Sequence, residues 1–265
     1  MSLDKSLKVR VLVSVGQHPK SGRERRADQD SRALELALGM PGFSVGLLHA
    51  GSESPALREY LGMGVKAIDV LKQPSSADVV PALAQALRND SPDLVLCGTR
   101  AETGEASGMT PYRVANALGW PLVPAVVSIS RGSDGTYEVL QALPRGQRRL
   151  LKVRTPFVAT VDPAAAEARQ SAFGPAQRGQ LQAVAVASVA DPAANDLEFS
   201  PARKRPKRIA AARKATTAAE RFKAATVKSA SKGGQVLVKE TAAEKASAIL
   251  NLLVAEGVIA ADSPS

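Results

Sequence analysis

A glycine-rich loop with several hydroxyl side chains follows the short apolar run of residues 94–97. It reads GTRAETGEASGMTP over residues 98–111. Loops of this kind, between a strand and a helix, bind phosphate through backbone N–H groups and the positive end of the helix dipole. This loop lacks the lysine of a P-loop and carries the carboxylates of Glu102 and Glu105. The pattern therefore predicts an anion-binding loop without naming the anion.

Glycines also end two other predicted strands, at Gly16 and Gly51, in addition to Gly98 in the loop. Ligands of parallel α/β sheets bind at the carboxyl ends of the strands. We therefore expect the three glycines to meet in one crevice, where Ser107 and Thr110 donate hydroxyl groups to a phosphate. Each glycine taken alone is better explained by a tight turn, and only the three together indicate a ligand site.

The elements that must position these residues alternate between strand and helix. β-branched runs alternate with helical periodicity, which predicts a mostly parallel sheet with helices on both faces. Strands are expected at residues 8–15, 43–48, 66–71 and 94–97, and helices at 28–38, 53–64, 77–88 and 112–118. Asp28 is expected to cap its helix, and Pro81 to lie in a first turn or kink its helix. Residues 126–143 predict an added β-hairpin with an Asp-Gly turn, and residues 152–162 predict one last strand.

Composition excludes several classes of protein. A single cysteine, Cys97, and two histidines are too few for an internal disulfide or a zinc centre. No Ser-His-Asp or Cys-His constellation is evident, so we expect no independent catalytic chemistry. No apolar run approaches the roughly 20 residues that span a bilayer. The first residues lack the features of a secretory signal, so we expect a cytoplasmic protein without membrane insertion.

The net charge of +10 belongs to one segment of the chain. Residues 203–232 contain eleven lysines and arginines against one acid, Glu220, so the remaining residues sum to zero. Such a segment binds either the phosphates of a nucleic acid or an acidic partner surface. Phe222 is the one aromatic residue in the segment, which gives no stacking platform, and no nucleic-acid-binding motif is present. We favour an extended arm that contacts a protein partner.

The order and spacing of these motifs resemble the beta subunit of electron transfer flavoproteins over nearly the full length. Proline-arginine, Gly-Gly and amphipathic-helix segments of the C-terminal arm fit the same pattern. The stretches that carry the resemblance are VLVSVGQHPK (11–20), ADQDSRALELAL (27–38), ALREYLGMGVKAIDVL (56–71) and DLVLCGTRAETGEASGMTPYRVANALGWP (93–121).

The resemblance implies a Rossmann-like fold and an electron-carrier subunit without catalytic chemistry of its own. Such a beta subunit forms a heterodimer with an alpha subunit, which holds most of an FAD at the interface. Its own crevice binds AMP. The pair takes electrons from a flavoprotein dehydrogenase and passes them to a quinone oxidoreductase. Two alternatives from other classes are a stand-alone adenine-nucleotide-binding regulator and a nucleic-acid-associated protein acting through the basic arm.

The resemblance also indicates which residues contact the nucleotide and cofactor. This chain departs from the family at Gly16, Met109 and Pro111, where a lysine, a glutamine and a second glycine are expected. The crevice therefore holds AMP, another nucleotide such as a second flavin, or no ligand. The residues assigned to cofactor binding are Ser14, Gly16, Asp30, Gly51, Gly98, Arg100, Glu105, Ser107, Gly108, Met109 and Thr110.

Three regions divide the chain in this interpretation. Residues 1–165 form the nucleotide-binding core, 166–190 a partner-docking loop and strand, and 191–265 the basic arm with a terminal amphipathic helix. Phe173 is expected to be the exposed anchor of the docking loop; the alternative is that it folds back onto the sheet.

Four further residues have less specific roles. Glu102 and Glu105 are expected to stabilise the N-terminus of the helix that follows their loop. His18 is interpreted as an exposed loop residue or as one that faces the flavin. Cys97 is expected to fill space at the end of a buried strand.

Overall fold

A computed structural model gives the fold of the chain. It describes residues 7–104, 106–132, 135–192, 196–198, 200, 217–218, 237–238 and 240–255. The chain divides into two compact units, residues 1–199 and 200–265.

The first unit is built on a nine-stranded sheet in the order β11-β5-β4-β1-β6-β10-β7-β8-β9. All neighbours from β11 to β7 run parallel, and β8 and β9 continue the sheet antiparallel. The strands of this sheet are β1 (Leu7–Leu12), β4 (Phe43–Gly51), β5 (Ala67–Lys72), β6 (Leu94–Gly98), β7 (Leu122–Arg131), β8 (Thr136–Ala142), β9 (Arg148–Arg154), β10 (Phe157–Val161) and β11 (Gln180–Val184).

Helices connect the parallel strands. They are α1 (Asp28–Leu38), α2 (Arg58–Leu61), α3 (Val79–Asp90), α4 (Thr110–Leu118) and α5 (Phe173–Arg178). Two 3₁₀ turns (Pro55–Leu57 and Pro144–Gly146) complete this unit together with a separate antiparallel hairpin of β2 (Val15–Gln17) and β3 (Glu24–Arg26). The predicted class, a mostly parallel α/β sheet with an added hairpin at residues 126–143, is therefore confirmed, since β7 and β8 form that antiparallel pair; the β2–β3 hairpin was not predicted.

The central strands are buried on both faces. In β6, Leu94 and Leu96 pack into the core on the α1 side, whereas Val95 and Cys97 pack against α3 and α4. This alternation is what a parallel strand covered by helices on both sides requires. It explains why β6 and β10 read as continuous apolar runs. A sheet of this kind exposes its ligand-binding edge at the carboxyl ends of the strands.

Several predicted boundaries differ from the structure. The expected strand 8–15 ends at Leu12, because the chain turns there into the β2–β3 hairpin. The expected last strand, 152–162, is two strands, β9 and β10, separated by Pro156, which lacks a backbone donor for a central ladder. The predicted bounds of α1 are confirmed, but its N-cap is Ala27 and not Asp28. Pro81 lies in the first turn of α3, as expected.

The second unit contains one described helix, α6 (Ala242–Ala255). Thr241 and Glu244 form a capping box, because the Thr241 N–H donates to Glu244 Oε2 over 2.7 Å and the Glu244 N–H donates to Thr241 Oγ1 over 3.4 Å. The Thr241 N–H and the Thr241 hydroxyl both donate to the Glu244 carboxylate, and these two hydrogen bonds lower the pKa of the Glu244 carboxyl. Apart from residues 217 and 218, the basic segment 203–232 lies outside the described residues. Within the described part of the chain, no helix has the length and apolarity to cross a membrane.

Candidate functional site

A crevice of about 660 Å³ lies at the carboxyl ends of β1, β4 and β6. Its walls are the turns that follow these three strands, together with the N-terminal turns of α3 and α4. The structure brings most of the predicted ligand residues into this crevice. Those lining it are Ser14, Asp30, Gly51, Gly98, Arg100, Ser107, Gly108 and Thr110.

Two predicted residues, Gly16 and Met109, are placed differently, and a third lies outside the described part of the chain. Gly16 does not line the crevice; a Cβ there would lie 2.6 Å from Glu102 Oε2 and 2.7 Å from Ala27 Cα. Gly16 therefore permits close packing of β2 against α1. Met109 immediately precedes α4 with its side chain 51% exposed and outside the crevice lining. Glu105 lies outside the described residues.

Asp30 ties two walls of the crevice together. Its side chain is 5% exposed, and Oδ2 accepts hydrogen bonds from the Ser14 N–H and hydroxyl over 2.8 and 2.5 Å. Oδ1 accepts from the Gly98 N–H over 2.9 Å. Burial raises the pKa of the Asp30 carboxyl to about 6, against the lowering effect of these hydrogen bonds. Asp30 thus fixes the ends of β1 and β6 relative to α1.

Gly98 is required by this arrangement. A Cβ at Gly98 would lie 2.6 Å from Asp30 Oδ1 and 2.8 Å from Gln29 Cβ. Gln29 itself accepts hydrogen bonds through Oε1 from the N–H and hydroxyl of Thr99. Only a residue without a side chain lets the first turn of α1 approach the end of β6 this closely.

Glu102 stabilises a different helix from the one expected. We expected its charge at the N-terminus of α4, but its carboxylate contacts the N-terminus of α1. Oε1 accepts from the Asp28 N–H over 2.7 Å, and Oε2 from the Gln17 N–H over 3.1 Å. Arg25 Nη2 donates to both oxygens over 3.1 and 3.0 Å. The expectation failed because the loop folds back over β2 before it reaches α4.

The N-terminus of α4 is left open towards the crevice. Its first turn carries no acidic residue and no side-chain cap, and Pro111 occupies an early position that needs no donor. Gly104, Ala106 and Gly108 in the preceding loop have φ of 73°, 51° and 78°. Left-handed residues in such turns can direct successive N–H groups to one side and make anion-binding concavities. The loop and helix together can receive an anion.

Two arginines line the crevice and differ in their pairing. Arg113 pairs with Asp78, which also caps α3. Arg100 is exposed and has no ion pair among the described residues. Of the lining acids, Glu24 accepts from the Ser54 hydroxyl over 2.7 Å and Glu53 lies 3.7 Å from Lys72. Arg100 is therefore the guanidinium that can pair with an anion entering the crevice.

Two buried polar residues that support the crevice turns were not predicted from the sequence. His49 bridges two turns, with Nδ1 2.8 Å from the Val13 carbonyl oxygen and Nε2 3.2 Å from the Ser52 carbonyl oxygen. The Tyr60 hydroxyl donates to the Ser14 carbonyl and accepts from the Ala27 N–H, each over 2.8 Å. A polar residue inside an apolar strand, as in FSVGLLHAG, was the signal for His49.

The remaining candidates have structural surroundings. Burial strongly raises the pKa of the Cys97 thiol, so it stays protonated and fills space as expected. The His18 ring lies exposed in the β2–β3 turn and contacts Ser21. Within the described residues, no cluster of three or more His, Cys, Asp or Glu residues suits a metal ion.

Phe173 is the first residue of α5 and 79% exposed, so it does not fold back onto the sheet. The segment is fixed on both sides of Phe173. The Ala172 N–H donates to the Gly62 carbonyl over 3.0 Å, and Arg169 makes a two-oxygen contact with Glu35. Arg58 donates to the carbonyls of 176, 177 and 179 at the end of α5. The aromatic ring is thus presented on a well-anchored helix.

A mostly parallel sheet with an anion-receptive crevice at its carboxyl edge defines the class of open α/β proteins that bind ligands at a strand-end crevice. The electron transfer flavoprotein domain family matches residues 24–189. The electron transfer flavoprotein subunit beta of Chromohalobacter salexigens is 51% identical over 258 residues, which cover 96% of each chain. The chain therefore belongs to the electron transfer flavoprotein beta-subunit family, and its role is in electron transport.

Proposed function

We propose that the chain is the non-catalytic beta subunit of a cytoplasmic heterodimeric electron transfer flavoprotein. In this proposal the pair accepts electrons from a flavoprotein dehydrogenase and delivers them to a quinone oxidoreductase. An FAD at the subunit interface, held mostly by the alpha subunit, supplies the electron-carrying chemistry when bound. The observation that carries the proposal is the 51% identity to a beta subunit over 96% of both chains.

The crevice between β1, β4 and β6 is proposed to hold AMP. Three features would bind its phosphate: the open N-terminus of α4, the hydroxyls of Ser107 and Thr110, and the guanidinium of Arg100, which has no ion pair within the described part of the chain. The Thr110 hydroxyl lines the crevice without a hydrogen-bond partner among the described residues. A phosphate would satisfy these donors in a single step. The strand ends at Ser14 and Gly51 would then face the nucleoside.

The exposed ring of Phe173 is proposed to dock the heterodimer onto its dehydrogenase. An aromatic side chain on a fixed backbone loses little conformational entropy on binding, which is typical of interface anchors. Arg178 is exposed on the same short helix, and its guanidinium lies close to Gly174. One of its nitrogens would be 3.2 Å from a Cβ atom added at Gly174. A partner pocket that is apolar with an acidic rim would complement this pair.

Purification of the tagged full-length chain from its own cells tests the main proposal. We expect a yellow complex with one second chain, a flavin absorption spectrum, and AMP released on denaturation and identified by mass spectrometry. A colourless homodimer would favour the stand-alone nucleotide-binding regulator. Retention on DNA that disappears at high salt would favour the nucleic-acid alternative.

A Phe173→Ala substitution tests docking. The rate of flavin reduction at limiting dehydrogenase should fall about tenfold or more, as for a buried interface anchor, while FAD content stays unchanged. Leu150→Ala is the matched control, because Leu150 is an exposed apolar residue on β9. Equal rates for the wild type and the Phe173 variant would exclude the docking role.

The basic segment 203–232 is proposed to lie against acidic groups of the alpha subunit. Truncation after Asn195 should leave the first unit folded and weaken binding to the alpha subunit, with a smaller loss at high salt. Titration of the two subunits at low and high salt measures this. Undiminished binding by the truncated chain at low salt, with DNA retention by the intact chain alone, would assign the segment to nucleic acid.

A further inference from the structure

Glu102 belongs to the crevice loop, but its carboxylate is engaged on the far side of that loop. Its two oxygens accept four hydrogen bonds, from the N–H groups of Gln17 and Asp28 and twice from Arg25 Nη2, at 2.7 to 3.1 Å. These donors belong to the β2–β3 hairpin and to the first turn of α1. One side chain therefore joins three elements.

The first half of the loop is fixed by a row of contacts centred on Glu102. Before it, Thr99 donates to Gln29, and after it the Thr103 hydroxyl donates to the Val15 carbonyl over 3.0 Å. Arg100 lies between two of these fixed points. Arg100, which lines the crevice, is thus carried on backbone that cannot shift without breaking bonds to the hairpin and α1.

The charge of Glu102 is also balanced away from the crevice. Arg25 forms an ion pair with it over 3.0 Å, and the positive end of α1 faces the same oxygens. A carboxylate so neutralised repels a phosphate in the crevice only weakly. Glu102 can therefore stabilise the loop of an anion-binding site although it is itself negatively charged.

We propose that Glu102 is a positioning residue for the nucleoside monophosphate in the crevice and couples that site to the β2–β3 hairpin. Binding of the phosphate to Arg100 and the α4 N-terminus stabilises the loop, and Glu102 transmits this to Gln17 and Asp28. By reciprocity, a partner that fixes the hairpin tightens nucleotide binding. This inference rests on the proposed nucleotide-binding function of the crevice.

The first test is the affinity of the full heterodimer for AMP in the Glu102→Gln and Arg25→Gln variants. Each variant removes one partner of the Arg25–Glu102 ion pair, so the other variant still tests the proposal if one of them fails to fold. We expect AMP to bind about tenfold more weakly in both, because a charge-assisted pair that orients Arg100 is lost. Glu35→Gln is the matched control, since Glu35 pairs similarly with Arg169 away from the crevice.

The second test separates coupling from simple structural support. Amide hydrogen exchange is measured on nucleotide-free and AMP-saturated heterodimer. In the wild type, AMP should slow exchange at Gln17 and Asp28 as well as in the loop; in Glu102→Gln the slowing should be confined to the loop. If the role of Glu102 were purely structural, the Glu102→Gln substitution would raise exchange at Gln17 and Asp28 equally with and without AMP.

The outcomes distinguish this inference from the function on which it rests. A wild type that takes up no AMP would overturn the crevice function and, with it, the coupling. A wild type that binds AMP, with both variants binding it equally well, would overturn the role of Glu102 alone. Slowing at Gln17 and Asp28 that persists in Glu102→Gln would also overturn the coupling.

Discussion

The N-termini of α1 and α4 lie at the same carboxyl edge of the sheet, but only the N-terminus of α1 is neutralised by carboxylates of the protein. The first turn of α1 contains Asp28 and Asp30 and receives the carboxylate of Glu102. The first turn of α4 contains no acidic residue and has no side-chain cap. Both helices carry the same positive end, so the difference lies in what the chain provides to neutralise it.

This contrast separates a structural joint from a binding site. At α1, the Glu102 carboxylate accepts from the Asp28 N–H, one of the orphan donors of that helix end, and the Asp30 carboxylate fixes the ends of β1 and β6. At α4, the donors remain available, next to Arg100 and two hydroxyl side chains. A helix end that a protein leaves unsatisfied beside free cations is suited to an external anion. We therefore expect substitutions at α1 to change stability and substitutions at α4 to change ligand binding.

The largest effect is expected from Asp30→Ala at the α1 joint. Removal of the carboxylate leaves the buried N–H groups of Ser14 and Gly98 without partners, which should cost about 3 kcal/mol or more of unfolding free energy. Denaturant titration measures the loss. Asp28→Ala is the control in the same turn, because the Asp28 side chain is 58% exposed and should change stability by less than about 1 kcal/mol. Similar losses for both would show that burial of Asp30 does not matter.

Thr110→Val tests the other helix end. It should leave unfolding free energy nearly unchanged and weaken AMP binding by about 1 to 3 kcal/mol, the value of a hydrogen bond to a charged oxygen. Retention of AMP by the purified heterodimer, followed by mass spectrometry, gives the result. Thr155→Val, at the amino end of β10, is the control. Full AMP retention in the Thr110 variant would show that the Thr110 hydroxyl does not contact the nucleotide.

The sequence was sufficient to predict the class of fold and which strand ends meet. Parallel strands buried on both faces read as apolar runs, and glycines mark their ends, so Gly51 and Gly98 were placed correctly in the crevice lining. It could not predict which helix Glu102 would serve. The choice depends on the course of the loop in space. From the sequence alone, the Glu102 carboxylate could stabilise the N-terminus of α1 or of α4 equally well.

The pH dependence of stability sharpens the account of the α1 joint. Burial raises the pKa of the Asp30 carboxyl to about 6, so between its ordinary value and 6 the folded state holds a proton that the unfolded state has released. Stability from this group therefore increases as pH falls through 6 and is lost as pH rises through it. Relative to Asp30→Asn, the wild type should gain about 1 kcal/mol between about pH 7 and pH 5. Parallel pH profiles in denaturant titrations would contradict this.

The smallest effect should come from giving α4 the carboxylate that α1 already has. Met109→Asp places an acid beside the first turn of α4, where favourable interaction with the helix dipole is worth about 0.3 to 1 kcal/mol. The variant should therefore be slightly more stable, yet bind AMP more weakly, because the new negative charge lies at the same helix N-terminus and repels the phosphate. Met109→Asn is the control: it offers the same hydrogen-bond acceptor without the charge, so it should keep most of the AMP affinity. Denaturant titration and AMP retention are measured on both variants. A gain in stability without loss of AMP would mean that the phosphate binds elsewhere in the crevice, and the two helix ends would then differ only in how the protein caps them.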